Sequence, residues 1–177
     1  MTSADPAAVV AALRAAGQTV ATAESLTGGL VCATLVDVAG ASSVVRGGVV
    51  AYQPDVKTAL LGVDADLIAR SGTVNPEVAE QLAAAARTRL GATWGLGTTG
   101  VAGPGPAEGR PAGTVYVAVA GPDGVVARRL DVPGDRDAVR RAAVRAVLAD
   151  LHYRLGKNSG STDVEPVREG GGDDRDA

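Results

Sequence analysis

The chain has 177 residues, 46% of them apolar and 21% charged, the balance expected of one globular domain with a short appendage. Only one Trp and three Tyr are present and no Phe, which excludes a base-stacking surface and leaves the core to Val, Leu, Ala and Gly. A single Cys and a single His exclude an intrachain disulfide, a cysteine cluster for zinc and a multi-histidine metal centre, so no metal and no cofactor are expected.

The net charge of −3 resides in residues 156–177, which carry six acids against three bases. The remaining body is neutral and gives phosphate-driven nucleic-acid binding no bulk support. The Gly-rich, acidic end is expected to be disordered, because it has too little apolar surface to offset its chain entropy. Two units follow: a folded domain over 1–155 and a tail over 156–177. No apolar run reaches the roughly 18 residues of a membrane span, and the first residues lack a basic signal region. Together with the cysteine count, this predicts a cytoplasmic protein that meets no membrane and no nucleic acid. A homo-oligomer is expected.

Taken in chain order, Asp5-Pro6 caps and opens a helix that ends at Ala16, and Gly17 stops it. Thr19 to Ala23 is a short strand. The turn Glu24-Ser25-Leu26-Thr27-Gly28-Gly29 leads into a buried helix from Leu30 to Val36. Val44 to Tyr52 reads as a strand, Pro54 to Leu61 as a helix and Ala65 to Ser71 as a shorter one. Asn75-Pro76-Glu77 starts a helix running to about Leu90. Trp94 to Thr98 is a strand, and Gly100 to Gly113 a loop dense in Gly and Pro. Thr114–Ala120 and Val125–Val132 flank Gly121-Pro122-Asp123-Gly124 as a hairpin. Arg136 to Leu155 is a helix with Val139, Ala143, Val147 and Leu151 on one side. This order predicts a layered α/β domain whose closing hairpin makes the sheet mixed.

Four groups of residues could carry chemistry. In the strand–turn–helix at Ser25, the hydroxyl could be a nucleophile and the amides near Thr27, Gly28 and Gly29 could hold an oxyanion or a phosphate. The same residues also read as a helix cap with tightly packed glycines. Lys57, five residues after Tyr52, is the only lysine in a body that otherwise uses Arg; the chain has 15 Arg and two Lys. Lysine can lose its proton at neutral pH where arginine cannot, so Lys57 is either a base or a solvated side chain. Thr99, Gly100 and Gly103 follow an apolar strand, where α/β sheets bind ligands, and the segment lacks the Gly-Lys-Ser/Thr of a P-loop. It is a phosphate or ribose site or an ordinary rigid loop. Arg136, Arg140, Arg141 and Arg145 share helix faces pairwise and could fork onto a phosphate or pair with Asp135, Asp137 or Asp150. Arg140 or Arg141 is the preferred ligand. His152 reads as a surface or packing residue.

Four segments together resemble the C-terminal domain of the competence-damage-inducible CinA family. They are Ala23 to Gly29, Gly47 to Tyr52 through Lys57 to Val63, Thr99 to Gly105, and Gly134-Asp135-Arg136 through Arg140. They occur in the family's order, and the match covers about Pro6 to Leu155. Leu26 stands where the family often has Cys, and the residues between Tyr52 and Lys57 differ while their spacing is kept. Members with demonstrated activity are nicotinamide-nucleotide amidases. The resemblance implies a three-layer α/β/α fold with a mixed five-stranded sheet. It also implies a stand-alone amidase that deamidates nicotinamide mononucleotide, with Ser25 as nucleophile activated by Lys57 and Tyr52. The larger molybdopterin-binding-like domain of many members is missing from the sequence, so no pyrophosphatase activity is implied. The Thr99–Gly105 loop and Arg140 would hold the ribose phosphate. Two rival readings are an amidase of another small amide and a non-catalytic nucleotide-binding or regulatory module.

Overall fold

The computed structural model describes residues 5–159. Its elements are α1 (Pro6–Ala15), β1 (Val20–Glu24), α2 (Leu30–Val36), β2 (Val45–Val50), α3 (Pro54–Leu61), α4 (Ala65–Ser71), α5 (Pro76–Arg89), β3 (Trp94–Gly100), β4 (Thr114–Gly121), β5 (Gly124–Asp131) and α6 (Arg136–Ser159), with a short 3-10 turn at Ala41–Ser43. Local chemistry sets the helix starts. The Asp5 carboxylate accepts from the Ala7 amide, Asp64 from Asp66, and Asn75 from Val78, each satisfying a donor that the first helical turn leaves free.

The strands form one five-stranded sheet in the order β2-β1-β3-β4-β5. β1 pairs in parallel with β2 and β3, while β3–β4 and β4–β5 are antiparallel, giving the expected mixed sheet. One face carries α1, α2 and α6, whose Val9, Leu13, Leu35, Val139, Ala143, Val147 and Leu151 meet Val20, Leu96, Val115, Val117 and Val119. Full burial of each such Val or Leu is worth about 1.5–3 kcal/mol. The other face carries α3, α4 and α5 over Ala21, Ala23, Ala118 and Ala120. The layer order is therefore α/β/α. Small residues on this second face let α5 come close; a Cβ at Gly97 would overlap the Ala79 carbonyl. With Phe absent, the largest buried side chain is Trp94, whose indole N–H donates to Gln18 and whose ring lies 5.2 Å below the Arg154 guanidinium.

Two expectations change and one element is new. β3 continues through Thr99 and Gly100, because these residues pair with Tyr116 and Val115 of β4. The 3-10 turn at Ala41–Ser43 had no sequence signal strong enough to place it. Helix α6 runs to Ser159, four residues past Leu155, so the first residues of the expected tail are helical. The rest of that tail lies outside the described residues. No helix among the described residues is long and apolar enough to cross a membrane.

Candidate active site

β1 is the point where the sheet changes direction. The chain leaves its carboxyl end through α2 on one face to reach β2, then returns through α3, α4 and α5 on the other face to reach β3. The register places Glu24 beside both Val50 and Thr98, so the carboxyl ends of β1, β2 and β3 lie together. Ligands of open α/β sheets sit in such a crevice.

Ser25 is the first residue beyond β1. Its amide donates to the Thr98 carbonyl at 3.0 Å, which fixes the main chain, and its side chain is nearly buried. Side chains alternate across a strand. Glu24 therefore faces α2 and Ser25 faces α3. Lys57, the fourth residue of α3, is completely buried there. Its Nζ lies 3.0 Å from Ser25 Oγ, 2.9 Å from the Ala51 carbonyl oxygen and 2.8 Å from the Tyr52 carbonyl oxygen. Burial pushes its pKa down to about 8, against an opposing pull from Glu108. Glu108, on the loop after β3, is itself held by the Thr73 and Val74 amides and the Thr73 hydroxyl.

Tyr52 meets this pair through its main chain. Its phenol is half exposed and accepts from Arg136 Nη2 at 2.9 Å; no hydrogen bond joins it to Ser25 or Lys57 among the described residues. Arg136 also donates to the Gly103 carbonyl, linking Tyr52 to the Gly-Pro loop.

The turn that follows is organised by Glu24, to which the sequence reading gave no role. This buried carboxylate accepts from Gly29 and Val31 on one oxygen and from Cys32 and Thr22 Oγ1 on the other, at 2.8–3.0 Å. It therefore occupies the positive end of α2 that the sequence reading reserved for a ligand. The Gly28 amide donates to the Ser25 carbonyl at 3.1 Å. The expectation that the Gly28 and Gly29 amides could bind an oxyanion or a phosphate is thereby corrected, since both already have acceptors. These glycines serve the turn itself, with φ of 60° and 94°. In the sequence, the one signal for Glu24 is an acid closing an apolar strand just before a helix start.

Replacing Glu24 with Gln puts an NH2 group against amide or hydroxyl donors. The expected result is a loss of about 2–3 kcal/mol, the scale of charge-assisted hydrogen bonds left unmade in a buried site. It would be read as a lower urea midpoint, and an unchanged midpoint would contradict this account of the turn.

The other predicted binding residues line the same region with their polar atoms partly engaged. Thr27 is buried, with its hydroxyl 2.7 Å from that of Thr98. The buried Thr99 hydroxyl donates to the Thr73 carbonyl at 2.8 Å, and Gly100 closes β3 beside Val115. Arg140 reaches the site but grips protein: Nε donates to the Leu26 carbonyl at 3.1 Å and Nη2 to the Thr27 carbonyl at 2.7 Å. Arg141 points elsewhere and pairs with Asp137 at 2.6 Å on the surface. No group of three or more His, Cys, Asp or Glu among the described residues could hold a metal ion.

A model of the CinA C-terminal domain matches residues 3–155. The chain belongs to the CinA C-terminal domain family. A CinA-like protein of Frankia casuarinae is 52% identical over 137 residues, covering 77% of this chain and 31% of that protein. One from Anaeromyxobacter dehalogenans is 51% identical, covering 85% and 37%. The chain thus spans about a third of the length of these CinA-like relatives. A CinA superfamily protein from Klebsiella pneumoniae superposes with a TM-score of 0.82 at 32% identity, over 89% of this chain and 99% of that one. The competence/damage inducible protein CihA from Agrobacterium tumefaciens gives 0.80 at 34% identity, over 88% and 98%. The CinA fold over these lengths is the α/β/α arrangement described above.

Proposed function

We propose that this CinA-family domain is an amidohydrolase that converts nicotinamide mononucleotide to nicotinate mononucleotide and ammonia, with Ser25 as nucleophile and Lys57 as its base. The observation that carries the reading is the hydrogen-bond set of the Lys57 amine. An ammonium has three protons and can donate to Ser25, Ala51 and Tyr52 together. A neutral amine has two, and the two carbonyls, which can only accept, take both. Its lone pair then points at Ser25 Oγ. Deprotonation converts the site from resting to reactive with no change of position.

The Ser25 proton passes directly to Lys57 as Oγ bonds to the carboxamide carbon. The tetrahedral intermediate collapses with cleavage of the C–N bond, and the lysine ammonium returns its proton to the departing nitrogen as ammonia forms. Lys57, neutral again, takes a proton from the water that attacks the acyl-enzyme and returns it to Ser25 Oγ as the ester bond breaks, releasing the carboxylate and restoring the free serine. The direct 3.0 Å contact favours this route over a relay through the Tyr52 phenol. Tyr52 acts through its carbonyl on Lys57, while its phenol is engaged by Arg136. This reading seats the ribose phosphate against the Thr99–Gly103 segment and Arg136, which donates to the Gly103 carbonyl. The choice of substrate follows from the family resemblance.

Ammonia release from nicotinamide mononucleotide, measured from pH 6 to 10, tests the proposal. Only the neutral amine is a base, so kcat/KM is expected to rise about tenfold per pH unit below 8 and level off above it. At pH 7 about a tenth of the enzyme is in the reactive form. Absence of ammonia release from this substrate and from nicotinamide would remove the amidase reading. A rate that falls as pH rises through 8 would remove Lys57 as base.

A further inference from the structure

We propose that Arg140 is a positioning residue for acyl transfer, forking its guanidinium onto the Leu26 and Thr27 carbonyls so that the Thr27 amide faces the oxyanion formed at Ser25. The inference rests on the reading of Ser25 as nucleophile and adds to it the origin of the oxyanion donor.

The main-chain amides of the turn differ in whether they have an acceptor. Ser25 donates to Thr98, Gly28 to Ser25 and Gly29 to Glu24. Leu26 and Thr27 donate to no acceptor among the described residues. Peptide planarity then gives a direction. In a trans peptide the C=O and the following N–H point opposite ways. The Leu26 carbonyl points at Arg140, which comes from the α6 layer, so the Thr27 N–H points away from α6. That is the side on which Ser25 Oγ meets Lys57 of α3. The next peptide obeys the same rule: its carbonyl, that of Thr27, faces Arg140, while its N–H turns back to the Ser25 carbonyl.

The clamp is rigid at both ends. Val139 and Ala143, on either side of Arg140 in α6, are fully buried in the core, and Thr27 is pinned from below by the Thr98 hydroxyl. Both carbonyls accept from one planar group, which a lysine cannot reproduce because it is a point donor. A preorganised amide costs no rearrangement as charge develops on the oxyanion, which is the basis of this kind of stabilisation.

The test compares wild type with Arg140→Lys and Arg140→Ala on nicotinamide mononucleotide and on nicotinamide riboside, which lacks the phosphate. The positioning role predicts that kcat falls about 30- to 300-fold on both substrates, near the loss seen on removing one oxyanion donor, with KM within threefold. Added guanidinium at about 50 mM should restore part of the Arg140→Ala rate, which a misfolded protein would not allow. Labelling of Ser25 by a fluorophosphonate, whose adduct places an oxygen where the oxyanion forms, should slow in parallel. A KM increase confined to the phosphorylated substrate, with kcat kept, would make Arg140 a phosphate ligand and overturn the proposal. So would wild-type kcat in both variants while Ser25 is still labelled. Turnover that persists in Ser25→Ala would instead overturn the nucleophile reading, and this inference with it.

Discussion

Lys57→Arg is expected to lose at least about a hundredfold in kcat, the lower end of what general-base catalysis supplies, and to be nearly as inactive as Lys57→Ala. Arginine keeps the charge but cannot offer a neutral amine to Ser25 at any pH where the protein is folded. It therefore separates a base from a cation that merely attracts a phosphate. The measurement is kcat and KM for both variants from pH 6 to 10. An arginine variant with more than about half of the wild-type kcat would end the base assignment. Because Lys57 is fully buried, Arg also overpacks the site, so folding needs its own readout, and Lys57→Met supplies one. The wild-type lysine has a folded pKa near 8, below the 10.5 of the free side chain. Between those values the unfolded chain binds more protons than the folded one, so this lysine makes stability rise with pH. Relative to Lys57→Met, the wild-type urea midpoint should therefore increase from pH 8 to 10. Parallel midpoints would mean that Lys57 is not held at a depressed pKa.

Ser25→Ala should lower kcat by at least about ten-thousandfold, the scale on which a covalent nucleophile's loss is felt in serine hydrolases. The structural cost should be small. Ser25 fills little volume, its amide bond to Thr98 does not involve the side chain, and Lys57 keeps the Ala51 and Tyr52 carbonyls. Loss of one hydrogen bond to a buried cation should cost about 1.5–3 kcal/mol at most. Circular dichroism should be unchanged. A folded Ser25→Ala protein with near-normal ammonia release would show that another group or a bound water makes the attack.

Much of the architecture was legible along the chain. Asp5-Pro6 and Asn75-Pro76 are strong helix starts, and both residues cap as their chemistry suggests. The spacing of Val139, Ala143, Val147 and Leu151 gave the buried face of α6, and all four are fully buried. The Pro-Asp turn between the last two strands gave the hairpin and hence the mixed sheet. Scarcity of lysine singled out Lys57. Errors fell where the deciding partner was distant. Thr99 and Gly100 have no strand signal of their own, and β4 supplies it by pairing. The last helix was expected over Arg136 to Leu155, yet it passes through Gly156 to Ser159.

The sequence by itself determined the elements, their order and the residue types able to do chemistry, because caps, periodicity and turn preferences act over a few residues. Only the tertiary structure decided what those residues are free to do. Lys57 has a lowered pKa because folding buries it, and folding sets it beside a serine 32 positions away. Glycine amides that looked open to a ligand are taken by Glu24 and Ser25, while Arg140, which looked like a phosphate ligand, crosses 114 positions to grip the Leu26 carbonyl. A donor's availability depends on every acceptor that folding brings within 3 Å of it, and that is a property of the folded chain as a whole.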